Sequence, residues 1–348
     1  MNDVPASKLA RDPRIDPRIK AVFGWPDRPP VGDIASREAL IAEANTPAAL
    51  AAEAAMQALF DACDSEANAP SAGLSIRRET YVSQPDGNTI QAAVIRPDTA
   101  ERLACVVYLH GGGMQSMSAF NGMYASWGRI IAAAGVCVVM PDFRNALRPS
   151  SAPEVLPFPA GLNDCVSAVK WVAANAEALN IDPGRIVVAG ESGGGNLTLA
   201  TGLKLLKDGD IGLIQGLYAL CPYIAGQWPH PDNPSSVENN GLLLELHNNR
   251  GAMAYGIEHL HAKNPLAWPG FATEADVRGL PPVVISVNEC DPLRDEGVNF
   301  YRLLLRAGQP ARCRQLMGTI HGTEIFSIAC PEISRDTAVD LARFARGA

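Results

Sequence analysis

Val187-Val188-Ala189-Gly190-Glu191-Ser192-Gly193-Gly194-Gly195-Asn196 decides how this chain is read. An apolar run stops at Gly-x-Ser-x-Gly, and an apolar, alanine-rich segment follows. The pattern predicts a strand that ends, a sharp turn on a serine, and a helix that begins beneath it. Gly190 and Gly194 flank Ser192 because a strained turn leaves no room for Cβ atoms there. Such a turn lifts the Ser192 hydroxyl out of a sheet and points helix N–H groups at the space beside it. The strain costs free energy, so a use for the serine is expected. That use requires a base, an acid and an anion site from elsewhere.

Outward from this turn, valine-rich runs alternate with helical stretches. The runs are Leu103–His110, Val136–Pro141, Arg185–Gly190 and Pro282–Asn288, with further strands at Gly212–Cys221 and Ala311–Met317. Continuous apolar strands alternating with helices predict a parallel sheet covered on both faces. The helices are read at Met123–Ala134, Gly161–Ala178, Asn196–Lys207, Asp295–Arg306 and Pro331–Arg346. Ser75–Gln84 and Asn88–Arg96 flank Pro85-Asp86-Gly87, which predicts a hairpin. Residues 1–34, rich in proline and charge, read as an irregular arm anchored by Phe23 and Trp25. Residues 35–64 read as two helices, with Thr46 capping and Pro47 opening the second. Met56, Leu59, Phe60 and Cys63 form one face of it. Residues 224–270 break the alternation with Trp228 and several prolines, then a helix-like Leu242–Leu260. An insertion at that place is expected to roof the strand C-termini.

Bulk composition excludes several functions. The 348 residues carry a net charge of −8 with no long Lys/Arg cluster, which argues against nucleic acid or an anionic membrane as partner. The first twenty residues show no signal peptide, and no stretch has membrane-span hydropathy. Eight dispersed cysteines without a CxxC pair read as buried free thiols in a reducing cytoplasm, not as disulfides or a zinc site. No metal and no cofactor are expected.

Ser192 needs a base, and histidine suits neutral pH. Of six histidines, only His321 follows the last predicted strand and precedes the last helix, so its loop would emerge on the sheet edge of Ser192. Asp291, just past Pro282–Asn288, is the expected acid, with Glu289 and Asp295 as competitors. Asp295 and Glu296 read as first-turn carboxylates facing a helix dipole. The order Ser, Asp, His is that of α/β hydrolases. Leu109-His110-Gly111-Gly112-Gly113 follows a buried strand, and its glycines free backbone N–H groups to hold an oxyanion together with that of Gly193. Other patterns fall away. His259 and His261 sit at i and i+2, on different helix faces. Ser167-Ala168-Val169-Lys170 lacks the companion motifs of a Ser-x-x-Lys enzyme.

On His110–Gly113 and Gly190–Gly194 the chain resembles the hormone-sensitive-lipase group of α/β hydrolases, also called bacterial esterase family IV. Asp12–Arg18, Asp142–Ala146 and Asp291–Gly297 are similar to one branch of that group, so the resemblance spans nearly the whole chain. It implies a mostly parallel eight-stranded sheet with helices on both faces and a helical cap. It implies a triad of Ser192, Asp291 and His321, and oxyanion donors on the N–H groups of Gly112, Gly113 and Gly193. The group often has an aromatic where Met114 stands, and many members have Asp and Ala where Glu191 and Gly193 stand. Both departures would reshape the acyl pocket. Members often pair as homodimers near the last strand.

The expected organisation is an arm with cap helices (1–70), a first catalytic part (71–223), a cap insertion (224–270) and a second catalytic part (271–348). The expected function is a cytoplasmic serine carboxylesterase acting on small to medium esters through an acyl-enzyme. A lactonase or amidase on the same triad is the alternative, and a ligand-binding protein on a hydrolase scaffold is the non-enzymatic one. Met114, Trp228, Met253 and Phe271 are the expected pocket residues.

Overall fold

The computed structural model describes residues 6–27 and 29–347; residues 1–5 of the expected arm lie outside them. Eight strands form one sheet: β1 Leu74–Val82, β2 Thr89–Pro97, β3 Leu103–Leu109, β4 Cys137–Pro141, β5 Ile181–Glu191, β6 Gly216–Leu220, β7 Val283–Cys290 and β8 Ala311–Ile320. Their spatial order is β1-β2-β4-β3-β5-β6-β7-β8. β2 runs antiparallel to β1 and β4, and every other pair is parallel. The hairpin pairs Val82 with Thr89, and Gly87 closes its turn at φ 76°. Parallel strands need crossovers, and the helices supply them on both faces.

The arm holds α1 Lys8–Arg11 and α2 Pro17–Phe23, followed by α3 Arg37–Ala44 and α4 Pro47–Asp61. The arm is therefore not irregular throughout: Ser7 and Asp16 cap its two short helices, and Pro17 opens the second. Thr46 caps α4 as its sequence predicts. The crossover helices are α5 Gly122–Ala133, α6 Ala160–Ala174 and α7 Gly193–Asp208. The region after β6 carries α8 Ser235–Glu238, α9 Arg250–Tyr255, α10 Ile257–His261 and α11 Glu274–Val277. The chain closes with α12 Arg294–Arg306 and α13 Pro331–Arg346.

Alternation along the strands divides the core. Cys105, Val107 and Leu109 of β3 belong to the core under α6 and α7, whereas Val106 and Tyr108 belong to the core under α5 and α13. The expected helix Leu242–Leu260 does not form as one element. Asn240 accepts from Leu246 N–H and donates to Glu245, and Asn248 accepts from Arg250 N–H, so side chains compete with helical bonds. Gly256, at φ 117°, then separates α9 from α10. All eight cysteines are free, and seven are buried. Among the described residues no helix is long and apolar enough to cross a membrane.

Candidate active site

β5 ends at Glu191, and α7 begins at Gly193. Between them Ser192 sits at φ 57°, ψ −119°, a backbone strain on the order of 1–3 kcal/mol. Three hydrogen bonds hold it: its N–H donates to Leu220 C=O, and its C=O accepts from Asn196 and Tyr223 N–H. The two flanking glycines are required by contact. A Cβ on Gly190 would lie 2.5 Å from Leu109 O, and one on Gly194 2.0 Å from the same atom. The elbow is thus pressed against the end of β3, where the glycine loop starts.

Asp291 follows β7 and His321 follows β8, so both emerge on the edge that carries Ser192. His321 Nδ1 lies 2.8 Å from Asp291 Oδ2. Asp291 Oδ1 accepts from Leu293 N–H at 2.9 Å, which fixes the carboxylate. Burial pushes the His321 imidazolium down, but the charge and hydrogen bond of Asp291, helped by Glu191 and Glu324, outweigh it, and the net shift is upward. With Nδ1 committed, the other ring nitrogen is left for the cavity that His321 and Ser192 both line. Ser192 Oγ and His321 are not hydrogen-bonded here, a common looseness in unliganded sites. The competing acids are engaged elsewhere. Glu289 accepts from Gly318 N–H, and Asp295 binds Ser235 N–H and Arg294.

Cys221 Sγ, an Asp291 oxygen and a His321 nitrogen lie within 4.8 Å of one another. Burial, then the charges of Glu324, Asp291 and Glu191, push the Cys221 thiol well up.

The glycine loop turns on Gly112 (φ 88°) and Gly113 (φ 63°). A Cβ on Gly193 would stand 2.7 Å from Gly113 N and 2.6 Å from Met114 N, so this loop and the start of α7 touch backbone to backbone. Among the described residues the N–H groups of Gly112, Gly113 and Gly193 have no protein acceptor. His110 is buried and stacks on Phe143 at 4.1 Å, so it serves the loop's packing.

A cavity of about 410 Å³ opens over Ser192, Gly112, Gly113 and His321. Its walls are largely apolar. Phe23 and Trp25 come from the arm, Phe60 from α4, and Phe326 from the loop after His321; Phe326 lies 4.8 Å from Phe23 and 5.9 Å from Phe60. Leu243, Leu244 and Leu246 complete it. A wider outer groove shares Met56, Phe60 and Met117 with it.

None of the four expected pocket residues lines this cavity, which corrects that expectation. Met114, at φ 59°, is turned into the core. Trp228 stacks on Tyr223 at 4.4 Å and donates its indole N–H to Glu296. Met253, on α9, does not reach the cavity. Phe271 borders a separate small pocket beside Glu296. Trp228 and Phe271 are drawn toward Glu296 of α12, whereas α9, which carries Met253, packs against α3.

Glu296 also departs from expectation. It does not merely face a helix dipole: it is buried, and accepts from Ile224 N–H, Ala225 N–H and Trp228 Nε1–H at 2.6, 3.1 and 2.7 Å. Burial pushes its carboxyl up to about 8 against those three donors. Glu191, next to the serine, is likewise buried and bound by Tyr108 and Tyr124. A carboxylate placed between Gly190 and Ser192 is the visible sequence signal for Glu191. Nothing in the sequence indicates its tyrosine partners.

Fold and site together define an α/β hydrolase with a serine at its elbow. Residues 106–325 match the α/β-hydrolase-fold family, and the chain belongs to it. It is an enzyme of the group that resembles hormone-sensitive lipase. Esterase Est22 is 63% identical, with a TM-score of 0.96 over 98% of this chain and 100% of that one. Brefeldin A esterase, a bacterial homologue of human hormone-sensitive lipase, is 37% identical, with a TM-score of 0.84 over 98% of both chains. Carboxylesterase NlhH of Mycobacterium tuberculosis is 31% identical over 72% of this chain and 76% of its own.

Proposed function

We propose that the protein is a serine carboxylesterase for small to medium, uncharged esters. The observation that carries this reading is one cavity shared by Ser192, the Asp291-bound His321 and three uncommitted glycine N–H groups. Ser192 Oγ attacks the ester carbonyl while His321 takes its proton. The oxyanion accepts from the N–H groups of Gly112, Gly113 and Gly193. Asp291 holds the imidazole and stabilises its cation. The alcohol leaves with the proton from His321, and water then releases the acid by the same route. The apolar walls favour uncharged acyl and alcohol groups. Phe23, Trp25 and Phe60, with Leu243, Leu244 and Leu246, form the cover that selects them.

Ser192→Ala should lower kcat for a p-nitrophenyl ester by at least ~10⁴, because nucleophile and base act as a unit. Full activity in that variant would end the reading. Matched p-nitroanilides separate the amidase alternative, and should turn over far more slowly than the esters. The free thiols favour a reducing cytoplasm. The edge of β8, where Met317 is exposed, is the surface for a second copy. Sedimentation that gives only monomer across a concentration series would remove the dimer.

A further inference from the structure

One buried carboxylate, beyond helping to raise the His321 imidazole, has no part in the chemistry above. Glu191 lies between the strand and the nucleophile, and its side chain is shut away from solvent. Tyr108 of β3 donates its hydroxyl to Oε2 at 2.5 Å, and Tyr124 of α5 donates to Oε1 at 2.5 Å. The Tyr124 hydroxyl in turn accepts from Gly111 N–H at 2.9 Å. Gly111 opens the loop that carries Gly112 and Gly113. A Cβ on Gly111 would fall 2.3 Å from Glu191 Oε1, so the carboxylate fills the room that a side chain would need there.

These contacts join four places: the end of β3, the start of α5, the end of β5 and the first residue of the glycine loop. The loop turns at two successive positive-φ glycines; at this end the His110 ring donates to Gly111 C=O at 2.9 Å, and the Tyr124 hydroxyl holds the Gly111 N–H. Donor groups of an anion site act only while they stay within a few tenths of an ångström of the developing charge. We propose that Glu191 is a positioning residue, and that the Glu191–Tyr124–Gly111 chain locks the anion-donor loop at a fixed distance from Ser192. The proposal rests on the esterase reading for its kinetic consequence, but not for its geometry.

A glutamine at 191 cannot accept from both tyrosines, since one oxygen becomes an amide donor. Glu191→Gln and Tyr124→Phe should each lower kcat for a p-nitrophenyl ester by about 10- to 100-fold, less than deletion of a donor group would, with KM within about twofold. The double variant should lose no more than about the larger single loss, because both break one unit. Tyr108→Phe leaves the Tyr124–Gly111 arm in place and should lose only a few-fold. Hydrogen exchange at residues 110–117 should rise in Glu191→Gln and in Tyr124→Phe, with exchange in β6 and β7 unchanged. That readout needs no turnover, so an inactive wild type would sink the esterase reading and leave the lock to be judged by exchange alone. Tyr124→Phe also provides the test where Glu191→Gln does not fold. Unchanged exchange at 110–117 in Tyr124→Phe would overturn the proposal. So would a Glu191→Gln enzyme that keeps its kcat plateau and moves only the acid limb of its pH profile, since Glu191 would then act by its charge on His321. Additive losses in the double variant would overturn it as well.

Discussion

Residues 103–113, 186–196 and 283–321 position Ser192, Asp291, His321 and the glycine loop through backbone contact, whereas Phe23, Trp25 and Phe60, with Leu243, Leu244 and Leu246, wall the cavity through side chains. On the floor, Gly190, Gly193 and Gly194 stand where a Cβ would meet main-chain atoms at 2.0–2.6 Å. In the cover, Phe23 and Phe60 meet Phe326 by ring contact, Trp25 packs on Phe23, and Glu296 ties Ile224, Ala225 and Trp228 to α12. Main-chain contact tolerates no substitution, so it writes itself into the sequence as glycine. Side-chain contact can be met by many apolar residues, so it leaves a weaker trace.

The sharpest way to break this contrast is at the acid. Asp291→Asn should lower kcat by about 10³- to 10⁴-fold, through the wrong imidazole tautomer and an unstabilised cation. Asp295→Asn, four residues on, should stay within about threefold, because Asp295 serves Ser235 and Arg294. Equal losses would reopen the choice of acid. The pH profile carries a second sign. On the proposed mechanism neutral His321 is the active form, so kcat/KM should fall as pH falls through a pKa held above the ordinary 6.5. In Asp291→Asn the raising groups are reduced and burial remains, so the acid limb should move to lower pH. A limb that stays in place would mean that Asp291 does not set the base.

A smaller effect is expected at Gly193. Its added Cβ would press on Gly113 N and Met114 N, so the loop must shift by several tenths of an ångström. Gly193→Ala should lower kcat by about 10- to 100-fold with KM little changed, since donors are displaced but not removed. Unchanged kcat would show that the loop adjusts freely, and the floor would then be no more rigid than the cover.

The same contrast explains what could be read in advance. The eight-stranded sheet was legible because strand period, crossover helices and turn residues agree from Ser75 to Arg346. Ser192, Asp291 and His321 were legible as candidates because each stands just past a strand end, in an order that the topology brings to one edge. The cavity walls were not. Phe60 and Phe326 are 266 positions apart, and no local pattern states that they stack. Trp228 is expected in the pocket because it stands in the insertion, yet its indole N–H is claimed by Glu296. The helix expected over Leu242–Leu260 failed on asparagine side chains that bond their own backbone, an effect that apolar periodicity does not register.

The mildest expected change tests the cover where it is most polar. Glu296 accepts two backbone N–H groups on one oxygen and an indole N–H on the other. In Glu296→Gln the amide oxygen can keep one side, and the amide nitrogen then faces a donor. That mismatch should cost about 1–3 kcal/mol and lower Tm by a few degrees. Turnover of a small acetate ester should stay within about twofold, because Glu296 does not line the cavity over Ser192. The pH dependence of stability gives a finer reading. Burial raises Glu296 from 4.5 to about 8. Between those values the folded chain holds a proton that the unfolded chain has released, so this residue's contribution falls as pH rises through the window. Glu296→Gln has no such proton, and its Tm should decline less than that of wild type across the same window. Parallel Tm curves would show that the three N–H donors keep Glu296 ionised, and a large loss of kcat would show that the cover also fixes the floor.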